Sequence, residues 1–266
     1  VCYQELISAA QNRESLTSGA EWLLDNYHII EAQVRNIRRD FPRSYYHSLP
    51  KLLNGDYRDY PRVYHFAVEL VSRTDANIDT ELLNRFIGGY QAVSVLASGE
   101  LWAIPIMLRI TLIENLRRLA VASLAEKNQR IIADRFISQI TTQENFSGTE
   151  ILLLLAQQLK TEPTFLSSSA AIITRRLREQ GSKSGLALRL LEEWFRERGQ
   201  DVEDLARAEQ SAQAANQVSI SNCVTSLKRF SSLNWQDWVE SVSAVNKILL
   251  DDPAKVYGSS DFPTRD

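Results

Sequence analysis

The chain has 266 residues, of which 44% are hydrophobic and 24% charged, and this composition excludes a disordered protein. The formal net charge of −3 is too small to predict a nucleic-acid or anionic-membrane partner. There are only 10 glycines, which indicates few tight turns and favours long helices over a many-stranded sheet. The two cysteines, Cys2 and Cys223, have no metal-site spacing, which indicates a reducing compartment.

Helix signals begin close to the N-terminus. Ser18 and Glu21 have the spacing of a capping box, in which the serine hydroxyl accepts from a first-turn amide and the glutamate carboxylate accepts from the serine amide. An apolar stripe at helical period follows and continues until Pro42 ends it; its members are Trp22, Leu23, Tyr27, Ile30, Val34 and Ile37. Residues 43–60 mix turn residues with aromatics, which predicts a short helix and an ordered loop.

Two further helices are predicted to start after Pro61 and at an Asp79 cap. Residues 75–81 imitate the start of a calcium loop. The match fails because position six is Thr80 instead of glycine and position twelve is Phe86 instead of a bidentate glutamate. We therefore predict a turn followed by the cap, and no metal site.

The helix over residues 99–120, opened by Ser98, is apolar on all faces in its first half. Such a pattern is typical of a helix surrounded by other helices. Arg109 lies inside it, where an unpaired charge is expensive, so we expect an ion pair with Glu69 or Glu100.

Helix signals continue to the end of the chain, and they favour an all-α fold. They are a helix over 128–141, a second capping box at Ser147 and Glu150, a helix from Pro163 to Gly181, one from Ser184 to Gly199, one from Asp201 to about Phe230, and one from Asn234 to before Pro253. We predict a single domain over 1–266, a compact array of about ten helices around the 99–120 helix. A subdomain boundary is expected near 142–148 or 182–200. The missing initial Met and the abrupt end suggest a fragment of a longer chain.

Aromatic and basic residues concentrate between residues 38 and 64. Aromatic rings stack on apolar faces such as those of sugars, and guanidinium groups bind anions through two hydrogen bonds. We predict a ligand or partner surface formed by Arg38, Arg39, Arg43, Tyr45, Tyr46, Tyr57, Arg58 and Tyr60, with Arg62 and Tyr64 beside it. The alternative is that the tyrosines only pack the loop onto the helices.

Several catalytic signatures are missing from the sequence. The three histidines have no zinc-site spacing, and there is no phosphate loop, no GxSxG elbow and no Asp-x-Asp pair. We accordingly predict no catalytic residue, no metal and no cofactor in this chain.

Eight segments together resemble the N-terminal region of cyclic β-1,2-glucan synthases, over about residues 15–266. They are WLLDNY (22–27), IRRDFP (37–42), LP (49–50), YPRVY (60–64), GELWAIPIML (99–108), LIENLRRL (112–119), DPAKVY (252–257) and DFPTRD (261–266). GELWAIPIML followed by LIENLRRL is the most specific stretch.

The resemblance implies that this region belongs to a very large inner-membrane protein that builds β-1,2-glucan from UDP-glucose. Its glycosyltransferase and membrane modules would be the partners of this region, with the nascent glucan as a further candidate. We expect a non-catalytic scaffold or docking domain on the cytoplasmic side of the bacterial inner membrane, with no membrane span of its own. The alternatives are an autonomous carbohydrate-binding or carbohydrate-active domain, recognisable by two carboxylates about 5–10 Å apart in a cleft, and an oligomerisation module.

Overall fold

A computed structural model describes residues 2–11, 16–141, 149–150, 153–154, 157, 165–179, 185–197, 199, 201–251, 253 and 256–259. Within these ranges the chain forms helices and no β-strand, which confirms the all-α prediction. The helices are α1 (Cys2–Gln11), α2 (Ser18–Asp25), α3 (Tyr27–Asp40), α4 (Arg43–Ser48), α5 (Arg62–Arg73), α6 (Thr80–Gln91), α7 (Ser98–Thr141), α8 (Phe165–Glu179), α9 (Gly185–Glu197), α10 (Val202–Ser232), α11 (Trp235–Val242), α12 (Ala244–Leu250) and α13 (Val256–Ser259).

Side-chain caps mark several of the predicted helix starts. The Asp79 carboxylate accepts from the Leu82 amide, and the Asp201 carboxylate accepts from the Glu203 amide, both at 2.7 Å. Asn234 likewise accepts from the first-turn amides of α11. These caps depend on residues two or three positions apart, so the local sequence is enough to reveal them.

The cap of α2 differs from the prediction. The hydroxyl of Thr17 accepts from the Ala20 amide at 3.2 Å, and Ser18 is already the first helical residue. A capping residue must precede the helix, so the assignment to Ser18 was wrong by one position. A turn at Asn26 then divides the predicted apolar stripe between α2 and α3.

Two other helix boundaries differ from the prediction. Helix α7 runs unbroken through residues 98–141, because the segment 121–127 contains good helix formers and neither glycine nor proline. Conversely, the helix predicted after Asn234 is interrupted at Ser243, which has extended backbone angles and caps α12 through the Asn246 amide. The predicted signals at Ser147, Pro163 and Gly181 lie outside the described residues.

The chain divides into two compact units, Val1–Leu24 with Leu119–Val218, and Asp25–Arg118 with Ser219–Asp266. The first unit has an apolar core whose largest fully buried members are Phe136 and Phe195. In the second unit the first half of α7 is enclosed, since Ala103, Ile104 and Leu108 have no solvent exposure. The boundaries proposed near 142–148 or 182–200 stay predictions.

Arg109 does not form the predicted ion pair. Its Nη2 donates to the Phe230 carbonyl at 3.3 Å, and its guanidinium lies 5.9 Å from the centre of the Trp235 ring. Glu100 is instead bound by Arg62, and Glu69 by Arg73. Burial lowers the pKa of Arg109, and a carbonyl dipole and an aromatic face replace the expected carboxylate.

Candidate functional site: a tyrosine-lined cleft

The loop between α4 and α5 is closed on itself by backbone hydrogen bonds. The Leu52 amide donates to the Tyr60 carbonyl and the Asp59 amide donates to the Leu52 carbonyl, both at 2.9 Å. Gly55 and Asp59 have φ values of 84° and 68°, so the tip of the loop uses left-handed turns. The prediction of a short helix followed by an ordered loop is confirmed, and this loop carries Tyr57.

Tyr57 belongs to a group of contacting rings. Its ring centre lies 6.0 Å from that of Tyr64 and 5.0 Å from that of His65, while Tyr60 stacks on Tyr64 at 5.3 Å. Burial, together with the nearby phenols and Glu114, raises the pKa of Tyr64. Because these rings restrain one another, the half-buried Tyr57 ring is held in place before any ligand arrives.

A cleft of about 420 Å³ lies beside these rings within the second unit. Helix α5 contributes Tyr64, Val68, Val71 and Ser72 to its lining, and the loop contributes Tyr57. Helix α7 contributes Thr111, Glu114, Asn115 and Arg118, whose spacing of three, four and seven residues places them on one helix face. The cleft thus combines aromatic rings with carboxylate, amide, hydroxyl and guanidinium groups.

The remaining lining residues are Asp75 and Ser219, which are fastened together. The Ser219 hydroxyl donates to the Asp75 carboxylate, and the Asn222 amide donates to the Asp75 carbonyl at 3.0 Å. One turn further along α10, the buried Ser226 hydroxyl accepts from the Ile78 amide at 3.0 Å and donates to the Ala76 carbonyl at 2.6 Å. Side chains of α10 therefore hold the turn predicted before Asp79, including Asp75 and Ala76 with their positive φ values.

Glu114 is the carboxylate of the α7 face. Both of its oxygens accept hydrogen bonds from Arg117, each at 2.7 Å, and these bonds lower the pKa of Glu114. A general acid needs a raised pKa so that it is protonated near neutral pH. Glu114 is instead held ionised, and its chemistry in the cleft is to accept hydrogen bonds.

The structure separates the predicted aromatic–basic surface into two ring groups. Tyr57 and Tyr60 belong to the group described above. Tyr45 and Tyr46 contact Phe41 instead, and the Tyr45 hydroxyl donates to the Gly99 carbonyl at 2.5 Å. Of the eight residues predicted as a surface, Tyr57 lines the cleft, and Tyr64 joins it from the neighbouring residues.

The basic residues of that surface lie away from the cleft lining. Arg38, Arg39, Arg43 and Arg58 are all exposed. Arg39 pairs with the adjacent Asp40 and Arg58 with the adjacent Asp59, and exposed pairs of this kind contribute little to stability. Arg62 is fully engaged by Glu100, Ser94 and Val95. Whether the eight residues bind a ligand or partner stays a prediction.

Sequence reasoning missed the polar face of α7 and the residues Asp75 and Ser219. A signal was present on α7, because Thr111, Glu114, Asn115 and Arg118 recur at helical period among apolar residues of that helix. No comparable signal marks Asp75 and Ser219, whose contact joins positions 144 residues apart. In the part of the chain that the structure describes, no group of three or more His, Cys, Asp or Glu side chains could hold a metal ion. No helix in that part is long and apolar enough to cross a bilayer.

No family model matches the chain. Over 264 residues it is 32% identical to the cyclic beta-(1,2)-glucan synthase NdvB of Rhizobium meliloti (strain 1021). The alignment takes in 99% of this chain and 9% of that relative, so the chain spans less than a tenth of the relative's length. The resemblance predicted from the sequence is therefore confirmed, and nearly the whole chain is similar to one segment of a cyclic β-1,2-glucan synthase.

Proposed function

We propose that this chain is a non-catalytic helical docking domain of a cyclic β-1,2-glucan synthase, placed on the cytoplasmic side of the bacterial inner membrane. The enzyme's glycosyltransferase and membrane modules, which build glucan from UDP-glucose, are its partners. The similarity to one segment of a much longer synthase supports the parent protein. The observation that carries the docking role is the exposed apolar surface of α12.

Helix α12 exposes large apolar side chains although it has only seven residues. Ile248 is 72% exposed, and Val245, Leu249 and Leu250 are exposed to a lesser degree. Val245, Ile248 and Leu249 are spaced by three and four residues and so occupy one face of the helix. An apolar face of this kind favours burial against another polypeptide, and the longer synthase supplies one.

Docking is tested by expressing this chain with an affinity tag together with the separately expressed remainder of the synthase. We expect the two to co-purify, and Ile248→Glu to abolish the association because it would bury an unpaired carboxylate. Leu53→Glu is the matched control, because Leu53 is 81% exposed on the loop before α5. If Ile248→Glu and Leu53→Glu co-purify equally well, α12 is not the docking surface.

The proposal that the chain is non-catalytic is tested by incubating the purified chain with UDP-glucose or with β-1,2-glucan. Asp75 and Glu114 both line the cleft, but a glycosidase needs one of its two carboxyl groups protonated. We expect neither synthesis nor cleavage, since Arg117 holds Glu114 in the ionised form and the Asp75 carboxylate accepts from Ser219 and Asn222. Glucan formed or cleaved by this chain alone would favour the carbohydrate-active alternative. A dimer in solution that Ile248→Glu dissociates would favour the oligomerisation alternative.

A further inference from the structure

We propose that the cleft lined by Tyr57, Glu114 and Arg118 is a binding site for a neutral glucan, a chain of uncharged glucose rings. The proposal rests on the docking function above only for the choice of glucan as the ligand. The site itself is argued from the composition, charge and unused hydrogen-bonding capacity of the cleft.

The cleft pairs aromatic rings with polar groups. The cleft has a volume of about 420 Å³, within the range of roughly 300–1,000 Å³ that is typical of small-molecule sites. Tyr57 and Tyr64 offer aromatic surface to the C–H faces of a sugar ring, and Asn115 and Arg118 of α7 line the same cleft. A sugar has both apolar faces and polar edges, so it needs this combination.

Several polar groups of the cleft have unused hydrogen-bonding capacity. Arg118 is exposed, and no hydrogen bond joins its guanidinium to another described residue. The Asn115 amide nitrogen donates to the Cys223 thiol at 3.4 Å, which leaves its carbonyl oxygen able to accept. An ionised carboxylate accepts up to about four hydrogen bonds, so Glu114 retains capacity beyond its two bonds from Arg117. Sugar hydroxyls both donate and accept, which suits this set of groups.

The charge of the cleft favours an uncharged ligand. The lining contains the carboxylates of Asp75 and Glu114 and one guanidinium, that of Arg118. Since Arg117 is bound to Glu114, the charges at the cleft balance, and no excess of cations is left to attract a phosphate or a nucleotide sugar. Of the two ligands that the aromatic–basic residues suggested, sugar and phosphate, the cleft favours the uncharged one.

The test is a calorimetric titration of the whole chain with linear β-1,2-linked gluco-oligosaccharides. We expect saturable binding that Tyr57→Ala and Arg118→Gln each weaken about fivefold or more, and that Tyr57→Phe largely keeps. The matched controls are Tyr46→Ala and Arg58→Gln, a tyrosine and an arginine that do not line the cleft. Thermal unfolding of each variant confirms that its fold is retained.

Three outcomes would overturn the proposal: no saturable binding at millimolar oligosaccharide, equal loss in the control variants, or displacement of the oligosaccharide by inorganic phosphate. The docking function fails separately, through loss of co-purification with the rest of the synthase. A chain that binds the glucan without docking keeps the cleft proposal. A chain that docks without binding glucan keeps only the docking domain.

Discussion

Replacing Arg62 with leucine tests how the walls of the cleft are joined. Arg62 is the first residue of α5, and Glu100 lies in the first turn of α7, so their ion pair connects two helices that line the cleft. The Arg62 Nε and Nη2 atoms donate to the two Glu100 oxygens, each at 2.5 Å. The carboxylate also accepts from the Ala97 amide at 3.0 Å.

The magnitude follows from burial. The Glu100 side chain is 1% exposed and that of Arg62 is 22% exposed, so the substitution leaves a buried carboxylate without its cation. Removing one partner of a buried ion pair costs about 3–5 kcal/mol, and we expect about 3 kcal/mol because Arg62 is partly solvated. The double variant Arg62→Leu with Glu100→Gln removes the orphaned charge and keeps an oxygen for the Ala97 amide. We expect its cost to be only about 1 kcal/mol.

The free energy of unfolding is measured by urea titration followed by far-ultraviolet circular dichroism, for Arg62→Leu, Glu100→Gln and the double variant. We expect the double variant to be more stable than Arg62→Leu. A loss below about 1 kcal/mol for Arg62→Leu would match an exposed ion pair and refute the buried one. A double variant that is no more stable than Arg62→Leu would also refute the buried ion pair.

Three further predictions concern polar groups in the second unit. Ser226→Ala leaves the Ile78 amide and the Ala76 carbonyl without their partner and should lower the free energy of unfolding by about 1–3 kcal/mol. Ser232→Ala, at an exposed serine of the same helix, should change the free energy of unfolding little. Equal effects of the two substitutions in urea titrations would contradict this prediction. Burial raises the pKa of Tyr45 from 10.0 to about 12, so the stability that depends on its neutral phenol is complete below pH 10 and lost as the pH rises through about 12. An ultraviolet titration of Tyr45→Phe should lack that late-ionising phenol. A titration unchanged by the substitution would refute the assignment to Tyr45. Burial also raises the pKa of Cys223 to about 11. In a Cys2→Ser background, the folded chain should therefore react with a thiol reagent far more slowly than the chain unfolded in urea. Equally fast labelling of the folded and unfolded chains would show that the Cys223 thiol is accessible.

Local sequence predicted most of the helices because their starts and interiors depend on neighbouring residues. Asp79, Asp201 and Asn234 cap helices through amides two or three positions away. The errors occurred where local signals were nearly equal. Thr17 and Ser18 are adjacent hydroxyl residues, and either could have been the cap of α2. Ser243 could equally have continued the helix after Asn234, and it ends one helix and caps the next.

The cleft could be predicted only in part, because it assembles from residues far apart in the chain. Tyr57 was singled out for its aromatic neighbourhood, and it does line the cleft. Arg62 was grouped with it by sequence distance, yet its guanidinium is bound by Glu100, 38 residues away. Glu100 was expected to pair with Arg109. The sequence period of a helix predicts that a charged side chain such as that of Arg109 is buried. Which residue pairs with that side chain depends on tertiary packing.

The docking function is tested most directly by hydrogen exchange, comparing α12 in the isolated chain with α12 in the full-length synthase. If the exposed apolar face of this helix is a docking surface, the amides of Ala244–Leu250 exchange more slowly in the full-length protein. Those of the exposed loop around Leu53 exchange at the same rate in both. Equal exchange of α12 in the two proteins would contradict the proposal that this face docks on the rest of the enzyme.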